Sequence, residues 1–192
     1  MIHLPLPLVI MAGGKSSRMG SDKALLPFGA FATLTEFQMN RLQPHFETLH
    51  VSTKSKAKFA FEASFIEDIS TYQQSSPLIA LLSILEYLDT PICVLSVDTP
   101  FVTPDIFETL YQTMQHANSD AVIARSPFGS HPLCAIYAPS IKPTIKQMLQ
   151  NDNHKIGNLL HASQTTYIDF EEDAPFFNVN HPEEYTHAKG LL

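Results

Sequence analysis

The chain contains few cysteines: two among 192 residues, Cys93 and Cys134, with no CxxC pair. The missing pair argues against a zinc site. Both cysteines lie in apolar runs, so we predict buried thiols in a reducing compartment.

An excess of basic residues is also missing. Twelve Lys and Arg stand against 19 Asp and Glu, which gives a formal charge of -7 and a pI of about 5.6. Surfaces that bind nucleic acid usually carry a basic stripe, so we expect no nucleic-acid partner. A nucleotide remains compatible with this charge, because a local cluster of Lys, Arg and backbone N–H groups can bind phosphate on an acidic protein.

Long apolar runs are absent as well, and none approaches the roughly 20 residues of a membrane-spanning helix. The N-terminal stretch 1–14 lacks a positive segment and contains two prolines, so it is predicted to be a first strand and not a signal peptide. No repeat or linker divides the sequence. We therefore expect one domain over residues 1–192, in a cytoplasmic protein without membrane association.

Strand-like and helix-like segments alternate along the chain, which is typical of βαβ units. This pattern predicts an α/β fold, a Rossmann-like three-layer αβα arrangement with a mostly parallel central sheet. The predicted strands are 6–11, 48–52, 65–68, 92–97, 121–124, 133–137 and 166–170. The predicted helices are 35–43, 78–88, 104–117, 141–150, 156–160 and a last one that begins at Pro182.

The clearest chemical signal is the segment MAGGKSSRMGSDK, residues 11–23. Its paired glycines follow a predicted strand and let the backbone approach a ligand closely. Small residues leave backbone N–H groups that can point at phosphate oxygens. Positive charge comes from Lys15, Arg18 and Lys23.

Two familiar phosphate loops do not fit this segment. A Walker A motif needs a glycine where Val9 stands. The GxGxxG dinucleotide fingerprint needs a glycine where Ser16 stands.

The segment resembles the signature loop of the NTP-transferase fold: an apolar strand, A-G-G or A-A-G, small residues, R-M-G and then K. More narrowly, the chain resembles the molybdenum cofactor guanylyltransferase family. Further matches follow in order and extend over nearly the whole chain: VDTPF at 97–101, SHP at 130–132 and FNVNHPEE at 177–184.

The resemblance implies a Mg²⁺-dependent nucleotidyltransferase that transfers GMP from GTP to molybdopterin and releases pyrophosphate. GTP and molybdopterin are then the small-molecule partners. Proteins of molybdenum cofactor biosynthesis and molybdoenzyme chaperones are candidate protein partners. The guanylyl branch usually has A-G-G and the cytidylyl branch A-A-G, so Ala12-Gly13-Gly14 favours GTP.

The resemblance also assigns residues to roles. Asp98 follows an apolar strand, at the edge where open α/β sheets bind ligands, and is the predicted Mg²⁺ ligand, because Mg²⁺ is often held by one or two carboxylates and substrate phosphates. The predicted catalytic residues are Arg18, Lys23 and Asp98. The predicted nucleotide-binding residues are Met11, Ala12, Gly13, Gly14, Lys15, Lys23, Ser52, Asp68 and Asp98. The predicted acceptor-binding residues are His131, Asn178 and Asn180.

Some positions depart from the family or allow two interpretations. The family usually has G-P-L-A-G where this chain has Ser76-Pro77-Leu78-Ile79-Ala80, so Ser76 and Ala80 predict a weaker nucleotide fit. Lys155 lies near a basic position of the family, and an ordinary exposed lysine is the alternative interpretation.

Two other functions stay open at this point. One is a cytidylyltransferase that acts on molybdopterin or on a small phosphorylated alcohol. The other is a non-catalytic guanine-nucleotide-binding partner in cofactor delivery, against which the combination of Lys23 and Asp98 argues.

Overall fold

The centre of the fold is a sheet of seven strands, formed within the described residues 2–14, 21–72 and 74–192 of a computed structural model. The strands are β1 (Leu4–Met11), β2 (Phe46–Thr53), β3 (Phe65–Glu67), β4 (Ile92–Ser96), β5 (Ala121–Ser126), β6 (Gly129–Tyr137) and β7 (Thr165–Asp169). Their order is β3-β2-β1-β4-β6-β5-β7. All neighbours are parallel except β6, which is antiparallel to β4 and β5.

Six α-helices connect and follow these strands in the described part of the chain: α1 (Leu34–Leu42), α2 (Pro77–Leu88), α3 (Pro104–His116), α4 (Lys142–Gln150), α5 (Ile156–His161) and α6 (Pro182–Gly190). Proline opens α2, α3 and α6, at the first helical position where its missing N–H costs nothing. The predicted helices are confirmed to within a few residues. Among the residues that the structure describes, no helix is both long enough and apolar enough to span a membrane.

The helices cover both faces of the sheet, as the alternation of side chains along β1 shows. Leu8 and Ile10 pack with α1, α3 and α6. Val9 and Met11 point the other way and pack with α2, α4 and α5. The three-layer αβα arrangement and the mostly parallel sheet are therefore confirmed.

Strand β6 is longer than the sequence predicts. Strands were expected over 121–124 and 133–137, but β5 continues to Ser126 and β6 already begins at Gly129. Gly129 has a φ of +137°, a conformation that glycine adopts readily. The connection between β5 and β6 is thus shorter than predicted, and His131 lies within the strand.

A bulge explains why the prediction failed there. Ile123 pairs with Ala135, whereas the next residue, Ala124, pairs with His131. Residues 132–134 therefore bulge out of the ladder with β5, while Cys134 still pairs with Leu95 of β4. Pro132, which has no N–H to donate, is tolerated in this bulge. The buried Tyr137 hydroxyl donates to the Pro132 carbonyl at 2.8 Å, and burial raises its pKa.

The carboxyl ends of the central strands meet at one edge of the sheet. Met11 pairs with Ser52 on one side and with Ser96 on the other, so β1, β2 and β4 end at the same level. The chain passes from β1 through β2 to β3 and returns to β4 on the opposite side of β1. Open α/β sheets bind ligands at such a reversal of strand order.

Candidate active site

The glycine turn begins at the end of β1. The Ala12 N–H donates to the Ser52 carbonyl at 2.8 Å, which continues the pairing with β2. Gly14 has a φ of +151°, where a side chain would be strained. A Cβ on Gly13 would lie 3.7 Å from the backbone of Thr53 and Lys54. Since that is an ordinary contact, local packing does not require glycine at position 13.

Lys23 meets Asp98 and Asn180 in the middle of the site. Its ammonium donates to the Asp98 carboxylate at 2.6 Å and to the Asn180 side-chain oxygen at 2.9 Å. The side chains of Lys23 and Asp98 are 15% and 16% exposed, so the pair is partly shielded from water. An ion pair with so little exposure to water retains much of its electrostatic attraction. Two predicted residues, Lys15 and Arg18, lie outside the described residues.

Asp98 is held by two further contacts. The Ser96 hydroxyl donates to its second carboxylate oxygen, and its backbone carbonyl accepts from the Val179 N–H at 2.8 Å. Glu184 fixes the neighbouring segment, because its carboxylate accepts from the N–H groups of Asn180 and His181. The segment 178–180 is thereby attached to the turn that follows β4.

Three adjoining cavities form a groove along this edge. The first, of about 260 Å³, is here named the Asp68 cavity, and its lining includes Gly13, Gly14, Ser52, Lys54, Asp68, Ser76, Ala80, Ser96 and Leu133. The central cavity, of about 160 Å³, is lined by residues that include Gly13, Gly14, Lys23, Ser96, Asp98 and Leu133. The His131 cavity, of about 220 Å³, is lined by residues that include Ser96, Asp98, His131, Leu133 and Asn178. Because Ser96 and Leu133 line all three, the cavities adjoin one another beside the Lys23–Asp98 pair.

Asp68 lines the first cavity and carries an unused acceptor. One oxygen of its carboxylate is buried and has no hydrogen-bond partner among the described residues. Burial raises the pKa of this carboxyl, and the charge of Lys54 opposes that shift. A buried oxygen without a partner is costly in the free protein, so it is suited to accept from a ligand N–H.

His131 lies in the third cavity, on the bulged part of β6. Its ring stacks on Phe176, with the ring centres 4.3 Å apart and the planes at 6°. Its Nε2 lies 2.8 Å from the Ser126 hydroxyl. Burial lowers the pKa of His131, opposed by the charge of Asp173. Burial therefore favours the neutral imidazole, which is polar without carrying a full charge.

The structure brings together residues from every predicted set. Met11, Ala12, Gly13, Gly14, Lys23, Ser52, Asp68, Asp98, His131 and Asn178 all line the groove. Asn180 contacts Lys23 at the centre. Among the described residues that line the three cavities, Lys155 does not occur.

Sequence reasoning missed several groove residues. Ser96 ends β4 and Lys54 follows β2, both at the ligand-binding edge of the sheet. Their positions at strand ends could have indicated them from the sequence. Lys58 lines a further cavity with Gly13, Gly14 and Asp22 and donates to the Ala12 carbonyl, but it follows no strand and belongs to no motif. Ser76 both lines the Asp68 cavity and caps α2 by accepting from the Ile79 N–H, so its replacement of the family glycine lies within the site.

The protein side chains at this site suit Mg²⁺ better than they suit a metal ion that is bound entirely by protein ligands. No group of three or more His, Cys, Asp or Glu side chains that could hold a metal occurs within residues 2–14, 21–72 and 74–192. Asp98 is a single carboxylate that lines two of the cavities. Mg²⁺ is commonly held by one or two carboxylates together with substrate phosphates, so the residues present fit this ion.

Comparison with known proteins identifies close relatives. A family model described as MobA-like NTP transferase domain matches residues 8–166. The chain is 37% identical over 188 residues to a protein of Campylobacter jejuni (strain RM1221) named molybdenum cofactor guanylyltransferase, and the match covers 97% of each chain. A protein of the same name in Helicobacter pylori (strain G27) is 29% identical, over 97% of this chain and 93% of the relative.

A solved structure has the same fold. It is described as molybdopterin-guanine dinucleotide biosynthesis protein A from Archaeoglobus fulgidus, and it superposes with a TM-score of 0.84. The sequence identity is 24%, and the match covers 97% of this chain and 98% of that chain. This likeness supports the α/β fold.

Proposed function

Because the chain belongs to the family of MobA-like NTP transferase domains, we propose that it transfers GMP from GTP to molybdopterin and releases pyrophosphate. The family resemblance inferred from the sequence is thereby confirmed, and with it the class of nucleotidyltransferase. The observation that carries the proposal is the Lys23–Asp98 pair beside the glycine turn, in the central one of three adjoining cavities.

The Asp68 cavity is the proposed site of the guanine base. Guanine carries N–H donors on its N1 and N2 atoms, and the unused oxygen of Asp68 is an acceptor. When a buried acceptor gains a donor, the new hydrogen bond offsets the cost of its desolvation. Binding of a base with a matching donor is therefore favoured. The triphosphate then extends past Gly13 and Gly14 towards Lys23, which lie in the adjoining central cavity.

The proposed reaction exchanges one phosphorus–oxygen bond for another. An oxygen of the terminal phosphate of molybdopterin attacks the α-phosphorus of GTP, and the bond to the bridging oxygen of the β-phosphate breaks. Pyrophosphate leaves with the electron pair. Such a displacement between anions depends on positioning and on neutralisation of charge. Lys23 suits this task, since its ammonium has three donors and it lines the central cavity together with Gly13 and Gly14.

Asp98 is the residue that would hold Mg²⁺. The bound ion would neutralise phosphate charge and orient the triphosphate. Ser96 and Val179 keep the Asp98 side chain and backbone in place through their hydrogen bonds. The carboxylate is therefore positioned before the nucleotide arrives.

The His131 cavity is the proposed site of the acceptor. A neutral imidazole and the amide of Asn178 line it, and both can donate and accept hydrogen bonds to a pterin edge. Asn180, bonded to Lys23, lies between the two halves of the groove. We place this reaction in the cytoplasm, with residues 1–192 as one catalytic domain. Proteins of cofactor biosynthesis and molybdoenzyme chaperones remain the proposed protein partners.

A direct test measures pyrophosphate release by the purified protein with GTP, Mg²⁺ and molybdopterin. Release with GTP, and slower release with CTP or ATP, is the expected result. Faster release with CTP supports the cytidylyltransferase. Tight GTP binding without release, for any acceptor offered, supports the non-catalytic binding partner.

Replacing Gly13 with alanine is expected to change nucleotide choice without unfolding the protein. The added Cβ makes ordinary contacts with Thr53 and Lys54, so we expect a change in melting temperature of under about 2 °C. We expect the ratio of GTP to CTP activity to fall about tenfold, because the Cβ narrows the Asp68 cavity that this residue lines. An unchanged ratio contradicts a role for residue 13 in base choice.

Replacing Asp68 with asparagine is expected to weaken GTP binding and stabilise the free protein. The variant loses a charged acceptor for the base, which predicts about a tenfold rise in the Kd for GTP. It also loses a carboxylate that burial disfavours, so its melting temperature at pH 7 should rise by about 2 °C.

The pH range in which Asp68→Asn stabilises the protein follows from the direction of the Asp68 pKa shift. Burial raises the pKa of Asp68 above the ordinary 3.8, so the folded protein carries the penalty only where Asp68 is ionised. The advantage of the variant is complete at neutral pH and disappears as the pH falls towards that ordinary value. Thermal melts from pH 7 to 4 check it, with Glu62→Gln as an exposed control. A lower melting temperature for Asp68→Asn at pH 7 contradicts the prediction.

A further inference from the structure

We propose that Lys58 is a positioning residue that holds the glycine turn and the Lys23 turn in the arrangement required for phosphate binding. This rests on the proposed function, which places the triphosphate between Gly13–Gly14 and Lys23. Lys58 itself belongs to neither element. It acts on both of them from a separate part of the chain.

The contacts of Lys58 join two points that flank the glycine-rich segment. Its ammonium donates to the Ala12 carbonyl at 2.8 Å and to a carboxylate oxygen of Asp22 at 2.7 Å. Ala12 immediately precedes Gly13, and Asp22 immediately precedes Lys23. One side chain, 46 and 36 residues away in sequence, therefore links both phosphate-binding elements.

Each of the two points has a second attachment. The Ala12 N–H donates to the Ser52 carbonyl, so Ala12 is fixed to β2 through its nitrogen and to Lys58 through its oxygen. The other oxygen of Asp22 accepts from the Ala24 N–H at 3.0 Å and caps the short 3₁₀ turn Lys23–Leu25. Lys58 thus connects the edge of the sheet to the turn that carries Lys23.

Lys58 is itself well anchored. It ends the 3₁₀ turn Lys56–Lys58, whose first turn is capped by the side chain of Ser55. The Lys56 N–H donates to the carboxylate of Glu67 at 2.8 Å, and this fixes the turn to the end of β3. The Lys58 ammonium lies 5.0 Å from the centre of the Phe59 ring. With 24% of its side chain exposed, Lys58 is partly shielded from water.

The charge of Lys58 has a second consequence for an anionic ligand. Asp22 lines the same central cavity as Lys23 and the paired glycines, so its carboxylate repels a polyphosphate placed there. The Lys58 ammonium offsets that repulsion at a distance of 2.7 Å. Removing the ammonium would both release the two elements and leave the Asp22 charge unbalanced. Misplacement of a binding group by about 1 Å can cost two orders of magnitude in rate.

Calorimetric titration of purified variants with Mg²⁺–GTP and with guanosine tests this inference. For Lys58→Met, we expect the Kd for GTP to rise about tenfold and the Kd for guanosine to stay within about twofold, because Lys58 holds the Lys23 turn and offsets the Asp22 charge beside the phosphates, whereas the base is bound chiefly through Asp68. Lys58→Arg should recover part of the loss, since arginine retains charge and donors. Lys56→Met is the matched control on the same turn, with an exposed side chain, and should bind as the parent does.

A double-variant cycle separates positioning from direct contact with phosphate. If Lys58 acts through Asp22, then Lys58→Met should weaken GTP binding less in an Asp22→Asn background than in the parent. An equal loss in both backgrounds means that Lys58 contacts the phosphates directly and overturns the positioning role. If Lys58→Met weakens the binding of GTP and of guanosine equally and also lowers the melting temperature, Lys58 gives only general structural support. That result overturns the positioning role as well.

The same titrations distinguish failure of this inference from failure of the proposed function. If the parent protein binds CTP more tightly than GTP, the guanylyl assignment fails. The role of Lys58 still stands in that case if Lys58→Met weakens the binding of CTP more than the binding of cytidine. If the parent binds no nucleoside triphosphate more tightly than its nucleoside, both are overturned.

Discussion

Replacing Asp98 with asparagine is expected to lower the kcat for pyrophosphate release about a thousandfold, in the upper part of the range seen when one preorganised electrostatic contact is removed. The change keeps the size of the side chain but removes the charge that pairs with Lys23 and that would hold Mg²⁺. Steady-state kinetics with GTP and molybdopterin measure the loss.

Binding gives an independent readout of the same variant. Mg²⁺–GTP should raise the melting temperature of the parent more than GTP alone, because a ligand that binds only the native state stabilises it. Asp98→Asn should lose the Mg²⁺-dependent part of this rise. Asp105→Asn, an exposed carboxylate in the first turn of α3, is the control and should retain it. An Asp98→Asn variant that keeps a full Mg²⁺-dependent shift contradicts the assignment of the metal ligand.

Replacing Lys23 with methionine is expected to lower kcat/KM for GTP by about a thousandfold. The ammonium is held by Asp98 and Asn180 in the free protein, at the junction of the base and acceptor cavities. Methionine fills similar space but cannot donate to phosphate, so both binding and stabilisation of the leaving pyrophosphate suffer. Initial-rate measurements over a range of GTP concentrations separate the effect on kcat from the effect on KM.

Two further variants sharpen the result for Lys23. Lys23→Arg should recover part of kcat/KM, because a cation is restored with different geometry. Lys155→Met tests the exposed lysine that the sequence placed near a basic position of the family, and it should change kcat/KM less than twofold. A Lys23→Met variant with near-normal kcat/KM removes Lys23 from catalysis.

The sequence predicted much of the fold because its periodicities are local. The apolar run that became β4 and the helix opened by Pro77 depend on neighbouring residues, and both were found. Asp98 and Lys23 were also predicted as functional, although 75 residues separate them. Lys23 was predicted from its place in the glycine-rich segment and from the family resemblance, and Asp98 from its place after an apolar strand and from the same resemblance. Parallel pairing of β1 with β4 is what brings the two to one edge of the sheet.

What the sequence could not give depends on contacts between distant segments. No pattern links Lys58 to the Ala12 carbonyl, since a lysine on a polar turn usually faces solvent. The bulge at 132–134 follows from the pairing of β6 with two neighbours and could not be inferred from one strand. The contact of Asn180 with Lys23 likewise depends on the attachment of the last segment to Asp98.

A crystal structure with Mg²⁺ and a non-hydrolysable GTP analogue tests most directly whether one groove holds the reacting nucleotide. We expect the base beside Asp68, the phosphates along Gly13 and Gly14, Lys23 within hydrogen-bonding distance of a phosphate oxygen, and the metal on the Asp98 carboxylate. A nucleotide bound elsewhere, with the Lys23–Asp98 ion pair intact and no phosphate near either residue, would contradict this arrangement.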